Sequence, residues 1–317
     1  ANLVLGYINP DFFLGGRRTV DTTLSEKAIK QHIADPLGLT VPEAAHGIFR
    51  IINNNMVDAI RVVSVERGID PRHYSLVSGG GAGNIHAGML GSTLGMKQVL
   101  IPRYSGVFCS FGMIVSDVRH DHLKAFTANT DKFDLGAVNE VLADLEKKAV
   151  DEMVEEGYPE GEVILKRFAD AKYPAQIHEL TVDVPSDKVL DESDIKVLEN
   201  SFHDLHEQMF TYSVRESSVD IFHWRVVAYR SVKEPNSQIM DLSSDAIEVA
   251  RKGTRDVYFG DINDYRSTQI YDGSSIRHGM VIKGPAVVEE TTTTIVIFPG
   301  QNLTVNRFGD FVLNLES

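Results

Sequence analysis

The stretch Leu76–Gly91, "LVSGGGAGNIHAGMLG", sets glycines at 79, 80, 81 and 83 directly after an apolar run and directly before a segment of helical character. Strand, glycine turn and helix in that order make the first part of a βαβ unit, and "KQVLIP" after it reads as the second strand. Both strands are apolar throughout, which predicts a parallel sheet covered on both faces and therefore an α/β fold. Glycine opens backbone conformations closed to other residues and removes the Cβ that would keep a ligand off the main chain. The helix that follows aims its free N–H groups and the positive end of its dipole at the loop, a favourable place for an anion. The loop also lies at the carboxyl end of a strand, where ligand crevices form in α/β sheets. "GGGAGN" is not a P-loop, because no Gly-Lys-Ser/Thr follows, and Gly79, Gly81 and Asn84 leave a G-x-G-x-x-G pattern incomplete. On its residues alone the loop is either a nucleotide cradle or a tight strand-to-helix turn. The candidate nucleotide contacts are Gly79, Gly80, Gly81, Ala82, Gly83 and Asn84. His86, just inside the helix, is expected to be neutral beside the positive helix end, and is either a catalytic base or hydrogen-bond partner or a packing residue.

Working outward, "TTLSEKAIKQHIADPLG" predicts a helix with Thr23 and Glu26 as a capping box and Pro36 and Gly38 as its stop. A long helix is expected from Pro42 to Gly68, with Ala45, Ile48, Phe49, Ile52, Met56, Ile60 and Val63 at helical spacing. Asn53 to Asn55 interrupt it with poor helix formers, read as solvated or packed against polar groups, or as a site contact. Downstream, "SGVFCSFGMIVSD" reads as a helix, and "VRHDHLKAFTA" as a strand leaving that layer. An acidic helix over 135–156 runs into a turn at Gly157, Pro159 and Gly161. Beyond it strands alternate around a helix near 191–211, and after a polar stretch at 235–256 the chain becomes β-rich with Gly/Pro turns, suggesting a small sheet or barrel-like end. The expected layout is an α/β nucleotide-binding region over 1–130, an α+β region over 131–234 and a β-rich region over 235–317.

Composition narrows the function. The 317 residues are 43% hydrophobic and 24% charged, with a net charge of -14, which argues against nucleic-acid binding through basic patches. No apolar run approaches the roughly 20 residues of a spanning helix, and no secretion signal is present, so a cytoplasmic protein that does not enter a membrane is expected. The single cysteine, Cys109, excludes an internal disulfide and a cysteine zinc cluster, and is expected to be a buried structural thiol. His120 and His122 share a strand face at metal-ligand spacing, but nothing adjacent supplies a third ligand, so hydrogen-bonded strand histidines are the expectation and no metal site is assigned. His178, Glu179, His203 and His206 are left outside the site, the last two as decoration of a helix surface. No G-x-S-x-G elbow joins a triad, no H-E-x-x-H occurs, and "ETTTTIV" reads as strand packing.

Five segments together, "ANLVLGYINPDFFLGG", "AIRVVSVERGIDPRHYSLVSGGGAGNIHA", "GVFCSFGMIVSDVRHD", "KYPAQIHELTV" and "KGPAVVEETTTTIVIFPG", resemble the hydantoinase A, 5-oxoprolinase and ketone carboxylase family, in the family's order. The resemblance implies the second lobe of an actin/Hsp70/sugar-kinase-like nucleotide-binding fold, with "LVSGGGAGN" as the turn that contacts the adenosine side of ATP. It implies ATP, with Mg2+, used to phosphorylate the carbonyl or enolate oxygen of a substrate, or bicarbonate, in concert with a hydantoinase B-like partner subunit. The leading expectation is the activating subunit of a ketone carboxylase such as an acetone or acetophenone carboxylase. The alternatives are an ATP-dependent hydantoinase or oxoprolinase, or a noncatalytic assembly module. The family's first-lobe Asp-x-Gly-Gly-Thr element is absent from these residues and is expected upstream of Ala1, so the chain alone should catalyse little.

Overall fold

Asp21, rather than Thr23, starts the first helix of the computed structural model, which describes residues 1–185, 188–231 and 239–315. In α1 (Thr22–Ile29) the Asp21 carboxylate accepts from the Thr23 amide at 2.9 Å, displacing the expected Thr23–Glu26 box because a carboxylate is the better acceptor at a positive helix end. A π-helical stretch, Lys30–Ala34, leads into α2 (Asp35–Leu37), which stops at Gly38 as expected, with φ +66°. The box that the sequence places at 23 is instead found at α3 (Val41–Val63). There the Thr40 hydroxyl accepts from the Glu43 amide, and the Glu43 carboxylate accepts from the Thr40 amide at 2.8 Å. Ala44, Ala45, Phe49, Asn53 and Val57 form the buried stripe of α3, and Asn54 and Asn55 are exposed.

The βαβ unit is present: β1 (Leu76–Val77) pairs in parallel with β2 (Gln98–Ile101), and α4 (Gly83–Thr93) connects them. The expected all-parallel, doubly covered sheet does not form. β1 is two residues long, lies at a sheet edge and leaves Val77 half exposed, because the other edge of β2 is taken by an antiparallel strand from the far end of the chain. α5 (Phe108–Val115) is helical as expected but buries none of its residues, and Cys109 on it is exposed, not the buried thiol anticipated from its apolar neighbours.

Residues 115–234 form a compact unit of their own. It contains β3 (Val118–Asn129), α6 (Leu135–Glu155), β4 (Ile164–Lys172), β5 (Leu180–Val184), α7 (Glu192–Phe210) and β6 (Asp220–Arg230). The four strands are antiparallel in the order β3-β6-β4-β5, and Ala169, Ala171, Trp224 and Val226 of that sheet pack in one core with Val138, Leu142 and Met153 of α6 and Leu198 and Phe202 of α7. His203 and His206 lie in α7 at 1% exposure each, so they are not surface decoration. Each ring is held at Nδ1, the Tyr173 hydroxyl lying 2.6 Å from His203 Nδ1 and His206 Nδ1 donating to the Tyr212 carbonyl at 2.8 Å, while the buried His203 Nε2 has no hydrogen-bond partner among the described residues.

The C-terminal strands β7 (Arg251–Phe259), β8 (Asp264–Asp272), β9 (Val281–Lys283), β10 (Ala286–Glu289), β11 (Thr294–Ile297), β12 (Asn302–Val305) and β13 (Phe311–Asn314) do not make a region by themselves. β13, β12 and β9 extend the β1-β2 sheet, giving the order β1-β2-β13-β12-β9, while β11-β10-β8-β7 form a second sheet. Residues 235–317 therefore share one compact unit with residues 1–114, in place of the separate β-rich region expected. Of the polar stretch at 235–256, residues 235–238 lie outside the described residues, and 251–256 are the outward half of β7. Among the described residues no helix is long and apolar enough to cross a membrane.

Candidate functional site

The glycine loop joins β1 to α4. Ser78 ends the strand by donating its amide to the Leu100 carbonyl at 2.9 Å, and the Gly80 amide turns to the Ser105 carbonyl at 2.6 Å. Gly80 sits at φ +94°, a conformation L side chains rarely adopt. Gly81 is tightly placed rather than strained: a Cβ there would stand 3.1 Å from the Thr292 carbonyl oxygen. The main chain over 79–82 is exposed, and Ala82 caps α4 without any side-chain bond. Asn84 and Ile85 are buried and the Ile85 amide bonds to the Ala82 carbonyl at 3.2 Å, so the main chain open to an external partner is that of the loop, up to Gly83.

Asn84 and His86 behave differently from the loop. Asn84 is fully buried; its oxygen accepts from Ser78 Oγ at 2.6 Å, and its nitrogen donates to Ser105 Oγ at 2.8 Å and to Thr293 Oγ1 at 3.0 Å. Its side chain holds the loop and has no hydrogen left for a ligand. His86 is 9% exposed and stacks on Phe49 with ring centroids 4.8 Å apart. The Asn2 amide nitrogen, which can only donate, lies 3.3 Å from His86 Nε2, so Nε2 accepts and Nδ1–H donates to Asn53 Oδ1 at 3.2 Å. Burial holds the imidazole below its usual pKa. The ring is neutral, as expected, but both nitrogens are spent inside the protein, and Asn53 is explained as its polar partner.

The loop borders a cavity of about 230 Å³ that also touches two segments left out of the sequence-based site. One is Ile8–Leu14, which turns back through Leu14, Gly15 and Gly16 at φ +53°, +67° and +81°. The other is Glu289–Thr294, the "EETTTT" run, where Thr293 donates to the Gly81 carbonyl at 2.9 Å. "ETTTTIV" therefore does more than pack a strand: β11 begins at Thr294, and the residues before it cross the glycine loop. The signal for this was the glycine pair after "FFL" and a hydroxyl run beside two acids. Glu289 is 1% exposed and accepts from Lys252 Nζ and Arg255 Nη1, each at 2.6 Å. Those two cations hold its carboxyl below the usual range against the opposing effect of burial. Glu290 lies 3.5 Å from Arg103 and is pushed up by burial.

Other titratable groups lie outside this site. His120 Nε2 meets Glu156 at 2.9 Å and His122 Nε2 meets Glu152 at 2.8 Å, so α6 supplies ion-pair partners for both. Among the described residues, Asp170, Glu179 and His223 are a trio whose ligand atoms converge within 4.8 Å, in the unit of residues 115–234 and not at the loop.

Residues 1–122 match the hydantoinase/oxoprolinase family model, and residues 127–314 match the hydantoinase/oxoprolinase C-terminal domain. The chain belongs to the hydantoinase/oxoprolinase family. This hydantoinase/oxoprolinase chain is 34% identical to the caprolactamase subunit alpha of Pseudomonas jessenii over 316 residues, 99% of the chain and 45% of that protein. It is 29% identical to the acetone carboxylase beta subunit of Xanthobacter autotrophicus, over 95% of the chain and 43% of that protein. The crystal structure of the ATP-dependent caprolactamase from P. jessenii superposes with a TM-score of 0.84 at 33% identity, over 100% of this chain and 46% of that one. The nucleotide-free structure of acetone carboxylase superposes at 0.76 and 27%, over 99% and 45%. The chain spans about half the length of the relatives it matches.

Proposed function

We propose that residues 1–114 and 235–317 act as the second lobe of an actin/Hsp70/sugar-kinase-like module, in which the main chain of Gly79–Gly83 contacts ATP. The observation that carries this reading is the exposed glycine main chain at the uncapped start of α4. Asn84 and His86 enter as positioning residues that hold the loop and the helix start. With the remainder of a full-length subunit and a hydantoinase B-like partner, the complex uses ATP to phosphorylate a carbonyl oxygen, turning a poor electrophile into a reactive one. Magnesium would arrive with the nucleotide phosphates, since Glu289 and Glu290 beside the loop are already held against Lys252, Arg255 and Arg103.

Two acceptors compete. The higher identity and TM-score of the caprolactamase favour hydrolysis of a cyclic amide. Carboxylation of a ketone with bicarbonate is the second reading, supported by the likeness to acetone carboxylase. The test is ATP hydrolysis by the full-length subunit with its partner, given caprolactam or hydantoin on one side and ketone plus bicarbonate on the other. The acceptor that fails to raise turnover is discarded, and a complex that binds no ATP ends the reading altogether.

A further inference from the structure

Strand register brings Asp170, Glu179 and His223 together. Asp170 on β4 stands opposite His223 on β6 and opposite Thr181 on β5, and Glu179 is the residue just before β5. Residues paired across strands share a face of the sheet. Their neighbours Ala169, Ala171 and Trp224 point the other way, into the core shared with α6 and α7. The β4–β6 register shifts directly after Asp170, an irregularity of the kind that re-aims side chains.

The contacts within the trio leave it short of positive charge. His223 Nδ1 lies 3.4 Å from Glu179 Oε2 and 3.9 Å from Asp170 Oδ2, and among the described residues it hydrogen-bonds to neither. A neutral imidazole offers one N–H to these two carboxylates. Asp170, 8% exposed, is oriented by other groups: Thr181 Oγ1 donates to Oδ1 at 2.6 Å, and Arg225 Nη2 lies 3.4 Å from Oδ2. Arg225 is itself shared, because its Nη1 faces Asp121 at 3.9 Å. Among the described residues no lysine or arginine pairs with Glu179. Two carboxylates therefore meet an imidazole nitrogen with a single shared guanidinium to offset them.

A divalent cation supplies the missing charge. Zn2+ takes imidazole nitrogen and carboxylate oxygen at about 2.0–2.2 Å in a tetrahedron, which sets ligand atoms about 3.3–3.6 Å apart. The three ligand atoms here lie within 4.8 Å of one another, and the two separations from His223 are 3.4 and 3.9 Å, so small side-chain rotations bring them to that spacing. Ca2+ and Mg2+ favour shells made of oxygen, which the imidazole breaks. The remainder of a full-length subunit can add a ligand to this set but takes none of the three away.

We propose that Asp170, Glu179 and His223 form a zinc site in the unit of residues 115–234, with Thr181 and Arg225 orienting Asp170 and the fourth position open to water. The assignment is independent of the nucleotide reading of the glycine loop.

The experiment strips the full-length subunit with chelator and titrates it by calorimetry with Zn2+ alone, and separately with Mg2+. A single Zn2+ is expected to bind at least about tenfold more tightly than Mg2+. Glu179→Gln and His223→Gln should each weaken that binding by at least about tenfold, since even the outer partners of metal ligands are worth about 10–100-fold in affinity. Zn2+ should also raise the melting temperature of the wild type more than that of either variant, because a ligand of the folded state stabilises it. Asp170 is left intact, because its loss would strand Arg225. If His223→Gln fails to fold, Glu179→Gln, which changes a residue outside the strands, carries the comparison. No Zn2+ uptake by the wild type, unchanged affinity in a folded variant, or Mg2+ bound as tightly as Zn2+ would overturn the site.

Discussion

Asn84 donates a hydrogen bond to the hydroxyl of Thr293 across 209 positions of the chain, at 3.0 Å, and that hydroxyl donates onward to the Gly81 carbonyl at 2.9 Å. The glycine loop is therefore pinned from the C-terminal strands, by a buried side chain whose four hydrogen-bonding positions are largely filled.

Asn84→Ala leaves Ser78, Ser105 and Thr293 short of a partner in the interior. Each buried polar group left unpaired costs roughly 1–3 kcal/mol, so a loss on the order of 3 kcal/mol is expected. The midpoint of urea unfolding checks it, and nucleotide affinity should fall in parallel as the loop loosens. A variant as stable as the wild type would show that these bonds are replaced by water.

Gly80 and Gly81 separate backbone need from ligand access. Gly80→Val forces a β-branched residue to φ +94° and should destabilise the protein by about 1–2 kcal/mol. Gly81→Val carries no such φ, but its side chain would crowd Thr292 and the exposed amides. It should weaken ATP binding by at least about tenfold, equivalent to 1.4 kcal/mol, while shifting the melting temperature less than Gly80→Val does. Unchanged affinity in the complete complex would count against the loop as the nucleotide contact.

His46, His86 and His203 all have pKa values lowered from 6.5, with burial as the leading cause. Below pH 6.5 the unfolded chain takes up protons that the folded chain refuses, so stability falls as the pH drops from about 6.5 toward the folded-state values. Above 6.5 these groups are neutral in both states and add no slope. Melting temperature across pH 5 to 8 should show this fall, and His86→Asn should flatten part of it. An identical slope in that variant would mean that His86 titrates alike in both states.

Glu289 compensates two cations from a position that is 1% exposed. Glu289→Ala leaves Lys252 and Arg255 beside one another without a counter-charge, and removing one partner of a buried ion pair typically costs about 3–5 kcal/mol. Thermal unfolding of the variant checks the loss, and Glu289→Gln, which keeps the shape and some hydrogen bonding, should lose less.

Local signals placed most of the elements. Alternation marks β3 and β6, 3.6-residue periodicity marks α3 and α6, and the glycines mark the β1–α4 turn, because each of these depends on neighbours a few positions away. Two local readings were overturned by neighbours: Asp21 caps α1 in place of the Thr23–Glu26 box, and His203 and His206 turn inward on α7, where the Tyr173 hydroxyl and the Tyr212 carbonyl meet their Nδ1 atoms. Apolar composition misled at α5, since a surface helix can be as apolar as a buried one, and Cys109 stayed exposed.

The residues by themselves determined the family and the strand-turn-helix around 79–83, since these follow from motif order and local periodicity; that Gly80 in particular needs a positive φ came from the structure. Only tertiary structure decided that β13 closes the edge of β2, that Thr293 clasps the loop, and that Ile8–Leu14 and Glu289–Thr294 enclose a cavity beside it. Those contacts join residues some 200 to 280 positions apart, and no short window of sequence contains both halves of a pairing made by packing.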